Sequence, residues 1–484
     1  MAGKSTPMLL VTANVGSIFE DPSVMLKIWT KEFLGTVARL DPKFVALHCQ
    51  EVGGKNYERS MKHVEHFVRL LMTSEELRLF DKVRVYLDED FSSVEKFTAL
   101  GNFYFIHESV SDALIWDFKA SNFVPVMEKE FHSGNIEDVP TKEKSKFPQE
   151  FFPELKWSRK GFLRTRWMLN GSVFDLINIH LFHDASNFVA MESFPSAYSK
   201  NRRRALEYTL DRFQNDKYEN VPFFLFGDFN FRTDTHGVVK KLAEGLDMVR
   251  VERNGAEVNE CGSKGDDCRD GGDQTTLQYR DGDSQVVLSL GKKEFKHLNH
   301  QNIFLGADSQ WLKKFDLELE HFKSRISEFP VTFPPSYPFE EEEDDIQMEG
   351  SSSEGTKDCL MGAGCRYMQT RCPSWCDRVL MSPSAKNVIN QNSEDCYLEY
   401  GVIGKNACMG DHKPVFLKFG LVNGAGVLLT RPCSLGQFNS NEVKIACPIS
   451  SPKVDANMVS NTITRYIHIK HSDSPVRIFK ETTV

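Results

Sequence analysis

The sequence predicts a layered α/β protein, and three observations predict it. Apolar runs of strand length alternate with stretches of helical spacing from Met8 onward. Residues 222–232, PFFLFGDFNFR, begin with five apolar, mostly aromatic residues that suit a strand buried on both faces. The run then changes character. Gly227 permits a bend, and Asp228, Asn230 and Arg232 alternate, so an extended backbone projects a carboxylate, an amide and a guanidinium from one face. Finally, several other apolar runs also end in polar residues.

In chain order, residues 8–15 read as a buried strand ending at Asn14, and residues 22–40 as a helix with Val24, Ile28, Phe33 and Val37 on one face. Residues 44–52, FVALHCQEV, form a second strand ending in Gln50 and Glu51, followed by a helix over 56–72. Residues 83–126 read as β-rich pieces, and the charged, Pro-containing stretch 128–157 as a surface insertion. Residues 162–167 and 173–181 pair as a hairpin about Asn170-Gly171, whose second strand delivers Asn178 and His180. A helix is expected over 201–213, opening with Arg202, Arg203 and Arg204 as a solvated face, and another near 238–246. Residues 254–282, rich in Gly, Asp and Ser, read as a loop, and 292–305 and 310–322 as partly helical. The acidic run 339–364 reads as a mobile insertion. Strands follow at 375–381, which carries Asp377, and at 413–419, preceded by Asp411 and His412. Beyond 421 the composition is that of a tail, with one β-like piece at 462–469.

Composition narrows the class. Of the residues, 40% are hydrophobic and 26% charged, as in ordinary soluble domains, and 484 residues suffice for a large core. A net charge of −9 argues against a general grip on DNA or RNA, while leaving room for a local basic pocket. Eleven cysteines without a CxxC pair read as reduced thiols, with Cys372 and Cys376 as packing residues. The first residues hold too short an apolar run for a signal peptide, and no run reaches membrane-spanning length, so a cytoplasmic location is expected. His48, His63 and His66 are expected in core or surface roles.

The polar strand ends define the candidate site: Asn14, Glu51, Asn178 with His180, Asp228 with Asn230, Asp377, and Asp411 with His412. In layered α/β proteins such ends gather along one sheet edge. Asp411 and His412 precede their strand, which suits a mixed sheet. The set offers hard oxygens, amides and imidazoles without thiolate, and that favours magnesium, which keeps waters for substrate phosphate.

The segments TANVG, HCQEV, NIHL, GDFNFR, PSWCDR and GDHKPV, in that order, resemble the signature series of the endonuclease/exonuclease/phosphatase superfamily. GDFNFR, RCPSWCDR and DHKPV together resemble the inositol polyphosphate 5-phosphatases, and their type I branch in particular. The resemblance covers residues 8 to about 421. It implies a two-sheet α/β sandwich with mixed sheets flanked by helices, one catalytic domain over 1–421 and a largely disordered tail over 422–484. It implies a magnesium-dependent phosphatase that removes the 5-phosphate of soluble inositol 1,4,5-trisphosphate and 1,3,4,5-tetrakisphosphate and so ends a calcium signal. Glu51 with Asn14 would hold the metal, supported by Asp411. Asp228 would position or deprotonate the attacking water and Asn230 hold it. His412 would contact the scissile phosphoryl group, oriented by Asp377, with Asn178 and His180 adding donors. Lys160, Arg232, Tyr337, Arg371 and Arg378 would bind substrate phosphates. The family's Lys after the Tyr is here Pro338, which puts the grip on the neighbouring phosphate in question. Lys156, Arg164 and Lys200 are candidates to replace it.

The type I branch is expected to end in a prenylation motif. This chain instead ends Glu481-Thr482-Thr483-Val484, a pattern similar to a PDZ-domain ligand. Weak membrane-surface contact through the Arg202–Arg204 run is a further expectation. Two other readings remain open at this level: a lipid-directed 5-phosphatase, and another metal-dependent phosphodiesterase of the superfamily. A binding protein without activity would be expected to lose one acid, amide or His of the set, and none is missing.

Overall fold

The computed structural model describes residues 5–151, 158–252, 257–258, 275–305, 307–341, 366–390, 397–426 and 428–430. Two mixed sheets lie face to face. The eight-stranded sheet runs Ile389–Asn390, Val415–Val422, Ser5–Asn14, Phe44–Gln50, Gly101–Ile106, Lys82–Asp88, Lys129–Gly134, with Glu399–Val402 also paired to Val415–Val422. The seven-stranded sheet runs Asp377–Met381, Phe223–Asp228, Ser172–His180, Gly161–Leu169, Ala113–Asp117, Asn122–Pro125, with Glu143–Lys146 added on Gly161–Leu169.

Period-two alternation assigns each side chain to a layer. Met8 and Leu10 enter the core between the sheets, while Leu9, Val11 and Ala13 face outward to helices Pro22–Leu40 and Val64–Met72. Phe224 and Phe226 point inward, and Leu225 outward onto helix Ala197–Gln214. Both faces of these strands are covered, which is why they read as continuous apolar runs; each fully buried Phe or Leu contributes about 2 kcal/mol. Asn170 and Gly171 adopt φ of 46° and 77°, and they close the Gly161–Leu169 and Ser172–His180 hairpin with the left-handed pair such a turn needs.

Several expectations are corrected. The stretch 128–157 is not a surface insertion over its described length. Lys129–Gly134 pairs in parallel with Lys82–Asp88, and Glu143–Lys146 borders the second sheet. Its charges are consistent with burial because they are paired: Lys144 lies 2.7 Å from Asp88 and 2.6 Å from Glu137. Residues 254–282 are not simply a loop, since Thr275–Arg280 is a strand of a separate five-stranded sheet ordered Glu257–Val258, Asp247–Glu252, Thr275–Arg280, Val286–Gly291, Glu294–His297. Arg202 is fully buried against Asp184 and Glu318 rather than solvated. The helix expected near 238–246 spans Thr235–Leu242, because the Asp234 side chain accepts from Gly237 N at 3.0 Å and caps it.

Strand Val415–Val422 leads into a turn in which Ala425 N donates to Ser172 Oγ at 2.9 Å, and Leu429–Thr430 pairs with Tyr218–Glu219. Leu428 packs with Trp116, Val173, Tyr218 and Val221. The remainder of the tail, the 462–469 piece, the chain's last four residues and residues 342–365 of the acidic run lie outside the described residues. Among the described residues no helix is long and apolar enough to cross a membrane.

Candidate active site

The inward phase of the core strands continues past their apolar part and turns polar at one end of the inter-sheet gap. Thr12 and Gln50 bond across neighbouring strands, and Gln50 Nε2 reaches Asn178 Oδ1 of the opposite sheet at 2.8 Å. One step further, Asn14, His180, Asp228 and Asp377 emerge together. His180 and Asp377 sit directly beside Asp228 in register, and Asn14 Nδ2 crosses from the other sheet to Asp228 Oδ2 at 3.1 Å.

Asp228, 1% exposed, is ringed by donors. Asn230 N bonds Oδ1 at 2.8 Å, Asn230 Nδ2 lies 3.1 Å from Oδ2, and His180 Nε2 lies 3.3 Å and His412 Nε2 4.0 Å from the same oxygen. Burial works against ionisation, but His412, His180 and Lys160 outweigh it and hold this carboxyl far below its usual range. His412 Nδ1 bonds Asp377 Oδ2 at 2.8 Å, and Ser336 Oγ holds that carboxylate oxygen at 2.7 Å. Burial disfavours the imidazolium, yet Asp377 and Asp228 raise its pKa to about 10. The ring is therefore cationic at neutral pH.

Glu51 stands beside this group, its φ of 56° turning the chain out of strand Phe44–Gln50. Burial opposes its charge, but Lys160, His180 and Arg159 bring the pKa down to about 2. Lys160 Nζ and Arg159 Nη2 lie 3.8 and 3.9 Å from its oxygens, and Lys160 Nζ also contacts His180 Nε2. Burial brings Lys160 down to about 8 against the pull of Glu51 and Asp228.

These residues fit a hard divalent ion. A Cβ placed on Gly16 would lie 2.8 Å from Glu51 Oε2 and 3.3 Å from Asn14 Oδ1, so the absent side chain leaves a small space between two oxygen donors. Asp228, Asp377 and His412 also come within ligating distance of one another. There, His412 Nδ1 is engaged by Asp377 Oδ2 at 2.8 Å.

A second cluster adjoins the first. The Tyr337 ring centroid lies 4.5 Å from that of His412, and the Arg232 guanidinium lies 4.3 Å from the same Tyr337 centroid. Arg232 Nη2 bonds Asn230 Oδ1 at 2.7 Å, but Nε and Nη1 are buried without a partner. Two unspent donors on a buried cation are costly unless an anion takes them. Arg371 stands close by and is desolvated, and its guanidinium ties carbonyls of Asp184, Ala185 and Lys292 together with Asn187 Oδ1.

Three expected site residues are placed differently. Arg378 is 1% exposed and spends its guanidinium on Asp316, Glu328 and Trp375 O, so it supports the wall and does not bind substrate. Asn178 is fully buried: its amide donates to Cys49 O, Gly101 O and Asn102 Oδ1, leaving nothing for a phosphoryl oxygen. The Asp411 carboxylate accepts from Ser17 Oγ at 2.8 Å and faces Lys55 at 4.0 Å, on the rim where Glu341 also bonds Ser17. Asn230 reaches Leu181 O, Asp228 and Arg232, so its amide fixes its neighbours. Arg164 is engaged with Asp175, Asp216 and Glu143 and replaces no lysine, and Lys156 is outside the described residues. Arg159, Ser336 and Asn187 were not legible as site residues; only the adjacency of Arg159 to Lys160 hinted at one of them.

Comparison with known proteins fits this geometry. The model of Endonuclease/Exonuclease/phosphatase family 2 matches residues 285–418. Inositol polyphosphate-5-phosphatase A of Homo sapiens and of Canis lupus familiaris are each 48% identical over 433 residues, 88% of this chain and 97% of theirs. The chain belongs to the inositol polyphosphate 5-phosphatase family. A Caenorhabditis elegans relative, described as a probable type I inositol 1,4,5-trisphosphate 5-phosphatase, is 32% identical across 85% of this chain and 99% of its own length. Among solved structures, the inositol polyphosphate 5-phosphatase domain of SPsynaptojanin, in complex with inositol (1,4)-bisphosphate and calcium ion, matches at TM-score 0.42 and 13% identity, covering 88% of this chain and 86% of that one. As a member of this family the protein is a phosphatase.

Proposed function

We propose that the protein removes the 5-phosphate of soluble inositol 1,4,5-trisphosphate and 1,3,4,5-tetrakisphosphate with magnesium as its ion, and in doing so ends a calcium-release signal. The observation that carries this is the pairing of two cationic centres: a His412 imidazolium beside Asp228, and next to it Arg232 with two buried, unspent N–H groups. One centre suits the scissile phosphoryl group and the other a phosphate on the neighbouring ring carbon. The names of the relatives point to the same substrate class.

Each residue has a task in this reading. Asp228, held ionised by its donors, orients the attacking water as the phosphorus–oxygen bond to the ring breaks. Asn14 and Asn230 fix Asp228 by bonds to its oxygens. His412 donates to a non-bridging oxygen, and Asp377 keeps its ring charged and aligned. Lys160 and His180 add positive and donor character over the same oxygens. Glu51 and Asn14 would hold magnesium, which when bound neutralises phosphoryl oxygens and favours departure of the alkoxide. No covalent nucleophile is required, since phosphoryl transfer depends on position and charge. The described cysteines, Cys49, Cys372, Cys376 and Cys408, are buried, and burial raises the thiol pKa of the first three.

The deciding experiment is magnesium-dependent phosphate release from inositol 1,4,5-trisphosphate, run beside the matching phosphoinositide in vesicles. Release from the soluble compound alone supports the proposal. Equal or faster release from the lipid replaces it with the lipid-directed reading, and release from neither removes it.

A further inference from the structure

The two oxygens of Glu51 face different neighbours. Oε1 lies 3.8 Å from Lys160 Nζ and 3.7 Å from His180 Nε2. Oε2 borders the small space at Gly16 and lies 3.9 Å from Arg159 Nη2, a cation to which the mechanism above gives no task. Arg159 is held there from two sides: Nη1 donates to Gly54 O at 3.0 Å, and the guanidinium carbon sits 5.4 Å from the Tyr57 ring centroid. Gly54 N in turn donates to Glu51 O at 2.9 Å, so the arginine is fastened to the same turn that carries the candidate metal ligand. Among the described residues, no acid other than Glu51 lies within ion-pair distance of it.

A guanidinium does not deprotonate at any working pH, so this charge is permanent. Glu51 therefore answers two cations with one negative charge, and a divalent ion would add to the positive side of that balance at Oε2. Arg159 and the ion compete for one oxygen and repel each other. The Arg159 side chain is 20% exposed, so water screens part of the repulsion. A phosphoryl group reverses the balance, because its oxygens attract the ion and the guanidinium alike. The coupling is mutual: whatever phosphate adds to magnesium affinity, magnesium adds to phosphate affinity.

We propose that Arg159 is a positioning residue which, acting through Glu51, makes magnesium and the phosphoryl group bind together. Its fixed charge on Oε2 opposes the ion alone and accepts it once phosphate brings negative charge. The inference rests on the magnesium site of the proposed function and adds a dependence to it: the ion binds weakly without an anion beside it. The observation that carries it is one carboxylate oxygen facing both the Gly16 space and the Arg159 guanidinium.

The test is calorimetric titration of magnesium into the full-length protein, with and without inorganic phosphate, for wild type, Arg159→Gln and Arg159→Lys. Gln keeps an amide donor for Gly54 O and removes the charge, whereas Lys keeps the charge. In wild type, phosphate tightens magnesium binding by about tenfold or more. Arg159→Gln binds magnesium about tenfold more tightly than wild type when phosphate is absent, and the gain from phosphate shrinks by the same factor. Arg159→Lys stays close to wild type in both conditions. An unchanged or weakened phosphate-free affinity in Arg159→Gln overturns the proposal, since a mere brace for the turn predicts that result. An undiminished phosphate effect in Arg159→Gln overturns it as well, and so does an Arg159→Lys that behaves like Arg159→Gln. A wild type that binds no magnesium even with phosphate overturns the magnesium reading and this proposal with it, an outcome distinct from a binding wild type with an indifferent variant.

Discussion

Replacing Asp377 by Asn tests the electrostatic core of the site. The amide still offers an oxygen to His412 Nδ1, so the ring keeps its orientation and loses one counter-charge. At an effective dielectric of about 20, opposite charges about 4 Å apart attract by about 4 kcal/mol, or about three pH units. His412 stands near 10 against an ordinary imidazole value of 6.5, and both Asp377 and Asp228 lift it. Removing Asp377 lowers it to about 7 by this arithmetic. At pH 8 the wild-type ring is almost wholly charged and the variant ring only about one-tenth so, which predicts a loss of about tenfold at pH 8 and a much smaller one at pH 6. Stability follows the same sign. A raised folded pKa stabilises fully below pH 6.5 and progressively less as pH climbs toward 10, so metal-free wild type loses on the order of 5 kcal/mol over that window and Asp377→Asn far less. Phosphate release between pH 5.5 and 9.5, with NMR titration of the labelled histidine ring, measures both. A loss of equal size at every pH, or a ring pKa within half a unit of the wild type, would refute the argument.

Other variants probe other parts. Gly16→Ala places a methyl 2.8 Å from Glu51 Oε2, and magnesium affinity should fall by about one to two orders of magnitude in calorimetric titration while Tm holds. Asp175→Asn removes a carboxylate that Arg164 and Arg166 bond at 2.5–3.1 Å in a 2% exposed site; urea denaturation should show a cost of about 3–5 kcal/mol with kcat unchanged, because the site is at the other end of its strand. Asn178→Ala leaves Gln50 and Asn102 without their shared partner, and about 2–3 kcal/mol of stability should go, with KM unaltered in the surviving folded enzyme.

Much of the architecture could be read from period-two alternation, because both faces of the central strands are covered and the apolar runs end where the gap turns polar. The same phase argument brought Asn14, His180, Asp228 and Asp377 to one place. What sequence could not supply was the state of each donor. Arg378 and Arg232 look alike in their motifs, yet one is spent on Asp316 and Glu328 and the other keeps two N–H groups unspent. The five-stranded sheet escaped notice because Asp247–Glu252 is largely exposed and carries no apolar run, so its pairing leaves little trace in composition. Arg202 misled in the opposite sense: a basic run suggested solvent, while Glu318 and Asp184, distant in sequence, were what allowed it to be buried.

The strand Leu429–Thr430 joins Tyr218–Glu219 at the end of the second sheet where Phe223 begins, and the cleft opens at the other end, beyond Asp228. Six residues of strand separate them, about 20 Å. A pull applied at Thr430 therefore acts on the foot of the molecule, at the end away from Asp228. A tether attached at that point would act like a mooring line, limiting where the enzyme drifts and which way it points.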